Sequence, residues 1–290
     1  MDSEDQARRL AFQRRLAEAV FDKLGSCTFP FYALENENYE LYGSGVLLSI
    51  GQKHFGITAA HVLDEIGRCF EQGFSVLVPP GKYGEKLLRL GKFGTYRTPV
   101  PKEGGRRNDY FDIGIIDFPP ETADTLSKTR RFLTITDLDP WETLRPTSGY
   151  LVFGYPTEGS KPDHDTKSMI YEPMPYLTRL YDGDYGKLTG FQNDVEIVVK
   201  FDPERSSDQD GTPSGRLQPP GVSGGGLWRV VEDVAESDQW EPQMVKLVGI
   251  GHTWSESVGV IRGTHIRVVT DAIFHHFPEL RPAMKLVYPK

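Results

Sequence analysis

Three residues, a serine, a histidine and an aspartate, lie in sequence contexts that suit a catalytic side chain. Ser223 lies in "QPPGVSGGGLW" at residues 218–228, where prolines and glycines surround a single hydroxyl. His61 ends the stretch "FGITAAH", and Asp112 opens the apolar run "DIGIIDF". A serine hydroxyl is a weak nucleophile at neutral pH. It needs a base within hydrogen-bonding reach and a carboxylate that holds this base in one tautomer. The three residue types together predict nucleophilic acyl transfer.

Each of the three residues also has an ordinary structural interpretation. Gly, Pro and Ser are the usual residues of turns, so Ser223 could belong to a flexible loop. His61 could be a core or helix-capping histidine. Asp112 could simply begin a strand, although a desolvated aspartate needs a compensating partner. Four other histidines fit strand, loop or terminal-helix positions better than a site: His54, His164, His275 and His276.

Short runs of β-forming residues must carry these side chains. Ten such runs lie between residues 27 and 252, separated by turn signals. Strands that follow one another without intervening helical patterns predict an all-β sandwich or barrel. The runs fall into two sets of five on either side of a connector at 137–148. The Gly- and Lys-rich segment 79–108 and the polar segment 202–219 predict long exposed loops.

Helical patterns are confined to the two ends of the chain. Residues 1–25 predict an amphipathic helix that ends at Gly25, with apolar residues four apart at Phe12, Leu16, Val20 and Leu24. This helix packs on its own domain or docks a partner. Residues 264–277 carry apolar residues at helical spacing and predict a C-terminal helix.

Composition excludes several classes of protein. A net charge of −8 and an isoelectric point near 5.5 argue against a nucleic-acid partner, since phosphate binding needs a basic face. The two cysteines, Cys27 and Cys69, exclude a disulfide framework and leave a single bridge open. No stretch approaches the roughly 18 apolar residues of a membrane span. The N-terminal residues lack the apolar core of a secretory signal, so we expect no membrane partner and a cytoplasmic location.

The elements around the three residues resemble those of the trypsin-like, chymotrypsin-fold serine peptidases. The matching motifs are "TAAH" at His61, "DIGII" at Asp112 and "GVSGG" at Ser223, in that chain order. The stretch "LVGIGHTW" at 247–254 resembles the strand that lines the family's substrate cleft. The resemblance covers roughly residues 27–277 and is to a bacterial-type intracellular member without disulfides.

The resemblance implies a mainly β fold of two six-stranded antiparallel β-barrels with an N-terminal and a C-terminal helix. After the helix at 1–25, the first barrel would span 26–140 and carry His61 and Asp112. The second barrel would span 141–290 and carry Ser223 and the C-terminal helix. The triad would lie in the cleft between the barrels.

The resemblance also implies roles for further residues. The backbone N–H groups of Gly221 and Ser223 would form an oxyanion hole. The substrate would be a protein or peptide, bound by Leu217, Gly249, Gly251 and His252. None of these residues puts a carboxylate at the pocket base, so small apolar or uncharged polar side chains are expected to be preferred over Arg and Lys. The triad mechanism requires no metal and no organic cofactor.

The residue before Ser223 bears on how the site would be activated. Val222 stands where zymogen-activated relatives carry an aspartate, so the oxyanion hole is expected to be permanent or organised by substrate or an activating partner protein.

Two rival functions share part of this pattern. An esterase of the α/β-hydrolase type would share the pattern G-x-S-x-G, but it needs the order Ser, Asp, His and many helices. A catalytically silent member that acts as a protein-binding platform remains the alternative.

Overall fold

The described part of the computed structural model contains two curled antiparallel sheets, a separate two-stranded hairpin and five α-helices. The structure describes residues 21–35, 38–80, 87–91, 93–140, 144–163, 168–205, 218–231 and 241–285. The mainly β architecture confirms the predicted fold class, with two half-barrels of the chymotrypsin-like type. An α/β-hydrolase sheet is excluded, because strand neighbours are paired antiparallel throughout both sheets.

The first sheet holds seven strands. They are β1 Thr28–Glu35, β2 Asn38–Ile50, β3 Lys53–Ala59, β4 Ser75–Val78, β5 Leu88–Arg89, β6 Gly94–Arg97 and β7 Ile113–Asp117. Their spatial order is β5-β4-β1-β2-β3-β7-β6. Six strands were expected, and the segment 79–108 was predicted as a loop. Both expectations were wrong, because β5 and β6 within that segment are too short to give a periodic signal.

The second sheet holds the expected six strands. The strands that follow along the chain are β8 Gly149–Gly154, β9 Ser160–Asp163, β10 Ser168–Tyr171, β11 Met174–Thr178, β12 Glu196–Lys200, β13 Gly226–Val231, β14 Lys246–Ser255 and β15 Val260–His265. The sheet order is β11-β8-β13-β14-β15-β12, while β9 and β10 form a separate hairpin. The run of β-forming residues at 168–174 divides between β10 and β11, since Pro173 has no N–H to give to a ladder.

The helices differ in part from the prediction. They are α1 at 21–27, α2 Ala60–Glu71, α3 Pro120–Ser127, α4 Ile266–His276 and α5 Arg281–Met284. Residues 1–20 of the predicted N-terminal helix lie outside the described residues, and α1 continues two residues beyond Gly25. The C-terminal helix is confirmed as α4, which starts after His265 because that residue ends β15. None of the described helices is long and apolar enough to cross a membrane.

The largest apolar core lies between the two sheets. It joins side chains of the first sheet, the second sheet and α4, among them Val46, Ile113, Phe153, Leu247 and Ile273. Leu24 of α1 is fully buried in the same core, so the described part of this helix packs on its own fold. The thiols of Cys27 and Cys69 are buried and free, so no bridge joins them. The domain division at residue 140 stays a prediction.

Candidate active site

Asp112, from the segment before β7, accepts hydrogen bonds from the first N–H groups of helix α2. The chain passes from β3 into α2 at Ala59, which offers no side-chain cap to the helix. Asp112 supplies the missing acceptors: its backbone oxygen accepts the Ala60 N–H at 3.0 Å. Its carboxylate oxygen Oδ1 accepts the His61 N–H at 2.9 Å. A helix leaves its first N–H groups unpaired and concentrates positive potential there, so a carboxylate is stabilised at this end.

The same carboxylate holds the His61 ring. Asp112 Oδ2 lies 2.7 Å from His61 Nδ1. An ionised carboxylate only accepts hydrogen bonds, so Nδ1 donates to Asp112 and Nε2 is the ring nitrogen left to face a reactant. Burial by itself would raise the pKa of Asp112, but the hydrogen bond and charge of His61 outweigh it and leave the pKa below its usual range. The pair is therefore an oriented base with its free nitrogen in a ring that is 34% exposed.

The backbone at Asp112 is strained. Its φ of 37° is the only positive value at a non-glycine residue in the described part of the chain. Such a conformation costs on the order of 1–3 kcal/mol and persists only where the surroundings impose it. Asp112 is also 5% exposed, so its turn is fixed on all sides. The strain accompanies a carboxylate that must satisfy both a helix end and an imidazole.

Ser223 lies in a tight loop before β13. Gly221 and Gly224 have φ values of 95° and 85°, which L-residues rarely adopt. The Val222 N–H donates to the Pro219 oxygen and the Gly225 N–H donates to the Val222 oxygen, each at 2.8 Å. The Val222 side chain is buried in the core of the second sheet. This position therefore anchors the loop by packing, and it holds no charge.

A buried serine of the first sheet holds this loop in place. The Ser44 N–H donates to the Ser223 oxygen at 2.7 Å. The Ser44 hydroxyl donates to the Gly221 oxygen at 3.0 Å and accepts the Tyr155 N–H at 2.8 Å. A Cβ at Gly224 would overlap the Ser44 oxygen and the hydroxyl of Thr58, three residues before His61. These contacts bring the Ser223 loop against the strand that leads to His61.

The Ser223 hydroxyl does not point at the base. It donates to the His252 backbone oxygen at 3.2 Å. Among the described residues, no hydrogen bond joins it to His61. The backbone N–H groups of Gly221 and Ser223 likewise donate to no described residue, while those of Val222, Gly224 and Gly225 are all paired. The two N–H groups predicted for the oxyanion hole are thus the unpaired ones of this loop.

The predicted substrate-binding residues occupy different surroundings. Leu217 lies outside the described residues. Gly251 borders the Ser223 loop and uses both backbone groups to hold it, through the Gly225 oxygen at 2.8 Å and the Gly224 N–H at 2.7 Å. Gly249 is buried within the sheet, where a Cβ would meet the Thr264 oxygen at 2.8 Å. Contact of these residues with substrate stays a prediction.

The His252 side chain is buried beneath the site. Its Nδ1 lies 2.8 Å from the Thr253 hydroxyl, and its Nε2 is 3.7 Å from a carboxylate oxygen of Glu196. Arg262 clamps the Glu196 carboxylate through two hydrogen bonds of 2.9 and 2.8 Å. Burial lowers the pKa of His252 to about 4, so the ring is neutral at pH 7. Its Nε2 is buried and has no hydrogen-bond partner among the described residues.

Two residues that shape the site were missed by the sequence reasoning: Ser44 and Glu196. A signal existed for Ser44, which is the one polar residue of the stretch "GSGVLL". Glu196 opens the run "EIVVKF" in the way that Asp112 opens its own strand. A search for metal ligands gives no cluster of three or more His, Cys, Asp or Glu side chains within the described ranges.

Comparison with known proteins gives likenesses to solved structures only. No family model and no curated protein sequence matches the chain. Among solved structures, the crystal structure of a serine endoprotease from Yersinia pestis matches at 12% sequence identity and a TM-score of 0.46. The match covers 89% of this chain and 65% of that chain, which is less than two thirds of its length.

Proposed function

We propose that the protein is a serine endopeptidase that cleaves peptide bonds through an acyl-enzyme intermediate. One observation carries the proposal: His61 is fixed by Asp112 as an oriented base beside a tight loop that holds Ser223 and two N–H groups that donate to no described residue. This is the arrangement of a nucleophile, a base and an orienting carboxylate. Protein and peptide substrates follow from the proposal.

The chemistry begins with a rotation of the Ser223 side chain. The hydroxyl must leave the His252 oxygen so that Oγ attacks the substrate carbonyl while His61 Nε2 takes its proton. The oxyanion of the tetrahedral intermediate would then accept hydrogen bonds from Gly221 and Ser223. Each such donor lowers the barrier by about 3 kcal/mol. Asp112 stabilises the imidazolium that forms.

Collapse of the tetrahedral intermediate completes acylation. His61 gives its proton to the leaving amine, the peptide C–N bond breaks and the acyl group stays on Ser223. A water molecule then attacks the ester, with His61 again taking the proton. The second collapse returns the proton to Ser223 and releases the carboxylic acid. Every step uses groups of this chain and water.

A binding platform with the same fold is the second candidate. The orientation of the Ser223 hydroxyl toward the His252 oxygen favours it, since no hydrogen bond links nucleophile and base. The complete set of His61, Asp112 and Ser223 favours the enzyme. Limited proteolysis of intracellular proteins and an activating partner are part of the enzyme proposal, and the cytoplasmic location stays a prediction.

Cleavage of a defined peptide mixture separates the two candidates. Wild-type protein and Ser223→Ala are incubated with the mixture, and cleaved bonds are mapped by mass spectrometry. The enzyme proposal predicts cleavage by the wild type alone, after small apolar or uncharged polar residues. A profile dominated by Arg and Lys would contradict the predicted specificity. Peptide binding by both proteins without cleavage would identify a platform.

A further inference from the structure

A partly buried ion cluster ties the His61 helix to the Asp112 turn. Arg106 lies in a 3₁₀ turn at Gly105–Asn108. Its Nε donates to Asp64 at 2.9 Å, and Asp64 follows His61 by three residues on α2. Its Nη1 donates to Asp109 at 2.5 Å, and Asp109 precedes Asp112 by three residues. One guanidinium therefore spans the two segments that carry the base and its carboxylate.

Asp109 and Thr98 hold both neighbours of Asp112. The Asp109 oxygen Oδ1 accepts the Phe111 N–H at 3.1 Å, while Oδ2 accepts the Thr98 hydroxyl at 2.5 Å. The Thr98 hydroxyl in turn accepts the Ile113 N–H at 3.2 Å. The backbone is thus fixed immediately before and after the strained residue.

The Arg106 charge compensates the buried carboxylate of Asp109. The Asp109 side chain is 3% exposed, and the Arg106 side chain is 14% exposed. Removal of one partner from such a pair leaves an uncompensated charge, which a protein relieves by rearrangement, water entry or protonation. The segment that would rearrange is the turn 109–112, because Asp109 is its first residue and Asp112 its strained last one.

We propose that Arg106 is a positioning residue: by joining Asp64 to Asp109 it holds the Asp112 carboxylate on His61 Nδ1. The positioning of the pair can be tested by itself, while its effect on turnover rests on the proposed peptidase function. Without Arg106 the turn relaxes, and Asp112 Oδ2 moves away from its 2.7 Å contact with the ring.

The chain offers a matched control for Arg106. Arg97 also donates to Asp64, at 2.8 Å, from a side chain that is 49% exposed. Among the described residues, Arg97 has no hydrogen bond to the turn 109–112. Arg97→Met removes an ion pair with the same carboxylate and leaves the Asp109 contact in place. Arg106→Met and Arg97→Met thus differ in the feature under test.

The experiment measures the His61–Asp112 hydrogen bond and the rate of turnover in parallel. Proton NMR follows the downfield signal of the His61 Nδ1 proton, and peptide hydrolysis gives kcat and KM. In Arg106→Met we expect the signal to be lost or shifted, with kcat lowered about 100-fold and KM little changed, as for a small misplacement of reacting groups. Arg97→Met should keep the signal and the wild-type kcat. Arg106→Lys, which keeps the charge without the fork, should recover part of the signal.

The outcomes separate this inference from the proposed function. An unchanged Nδ1 signal in folded Arg106→Met, or equal effects of the two methionine variants, would overturn the positioning role. Loss of the signal in Arg106→Met alone, in a protein whose wild type cleaves nothing, would support the positioning role and refute the peptidase. If Arg106→Met fails to fold, Asp64→Ala keeps the Asp109 pair and removes the acceptor that links Arg106 to α2. A weakened signal is then expected, and a wild-type signal would overturn the proposal.

Discussion

The two sides of the candidate site are organised differently. On the side of the first sheet, His61 and Asp112 share two hydrogen bonds, and Arg106 ties their segments together. On the side of the second sheet, Ser223 hydrogen-bonds to a backbone oxygen. We infer that the base is fixed before substrate arrives, whereas the nucleophile has to turn into place. Substrate or a partner would therefore act on the Ser223 side.

The largest expected effect tests whether the two sides form one catalytic unit. His61→Ala and Ser223→Ala should each lower turnover by roughly 10⁶-fold, because members of a triad act together. Asp112→Asn should cost about 10⁴-fold, since it disturbs the tautomer of His61 but leaves the base in place. Initial rates of peptide hydrolysis measure these losses. Melting temperatures within a few degrees of wild type serve as the folding control.

A glycine substitution tests how closely the Ser223 loop fits the first sheet. Gly224→Ala should lower the free energy of unfolding by more than about 4 kcal/mol, because the new Cβ overlaps backbone and hydroxyl oxygen atoms. Gly73 is the matched control, with a φ of 80° and no atom within 4 Å of its Cβ position. Gly73→Ala should cost about 1 kcal/mol through backbone strain alone. Equal costs in urea unfolding would mean that the contact does not hold the loop.

The Ser44 hydroxyl, which links the two sheets, is expected to give the next largest loss of stability. Ser44→Ala removes the hydroxyl that accepts the buried Tyr155 N–H and donates to the part-buried Gly221 oxygen. Unpaired buried groups cost 1–3 kcal/mol each, so we expect a loss of about 3 kcal/mol in urea unfolding. Ser49 on the same strand is the control, as its side chain bonds to no described residue. Ser49→Ala should change stability by less than about 0.5 kcal/mol, and a Ser44→Ala effect of that size would contradict the link.

The smallest expected effect is a pH dependence from His252. Asp112, Asp109, His61, Arg262 and Glu196 all act on this ring, yet burial dominates and lowers its pKa from 6.5 to about 4. Between these values the unfolded chain binds a proton that the fold excludes, so stability falls as the pH drops from about 6.5 toward 4. At pH 5 the loss from this group is about 2 kcal/mol.

His252→Gln removes that titration. Unfolding in urea at pH 7.5 and pH 5 should show a smaller loss of stability for the variant than for wild type, by about 2 kcal/mol. The comparison between the two pH values cancels the pH-independent cost of the substitution. Equal losses would show that the His252 ring is protonated in the fold.

Local signals predicted one side of the site better than the other. Asp112, just before β7, and His61, in the first turn of α2 after β3, could be found because each lies at a boundary that is visible in a few residues. The link from Ser44 to Gly221 spans 177 positions, and the one from Arg106 to Asp64 spans 42. Such pairings depend on which strands curl together, so they become visible only in the folded chain.

The same reason explains the misjudged strands. β5 and β6 extend a sheet whose edge they meet through tertiary pairing, and neither is long enough to show alternation on its own. The direction of the Ser223 hydroxyl was equally beyond the sequence, because its acceptor is a backbone oxygen. A motif such as "GVSGG" predicts a loop and a nucleophile, while the rotamer is set by the surrounding fold.

Active-site labelling tests the central claim most directly. The protein is treated with a fluorophosphonate, which reacts with an activated serine, and the modified peptide is identified by mass spectrometry. We expect an adduct on Ser223 in the wild type and none in folded His61→Ala, because the base beside the first sheet must activate the hydroxyl beside the second sheet. An unlabelled wild type, or equal labelling of folded His61→Ala, would contradict it.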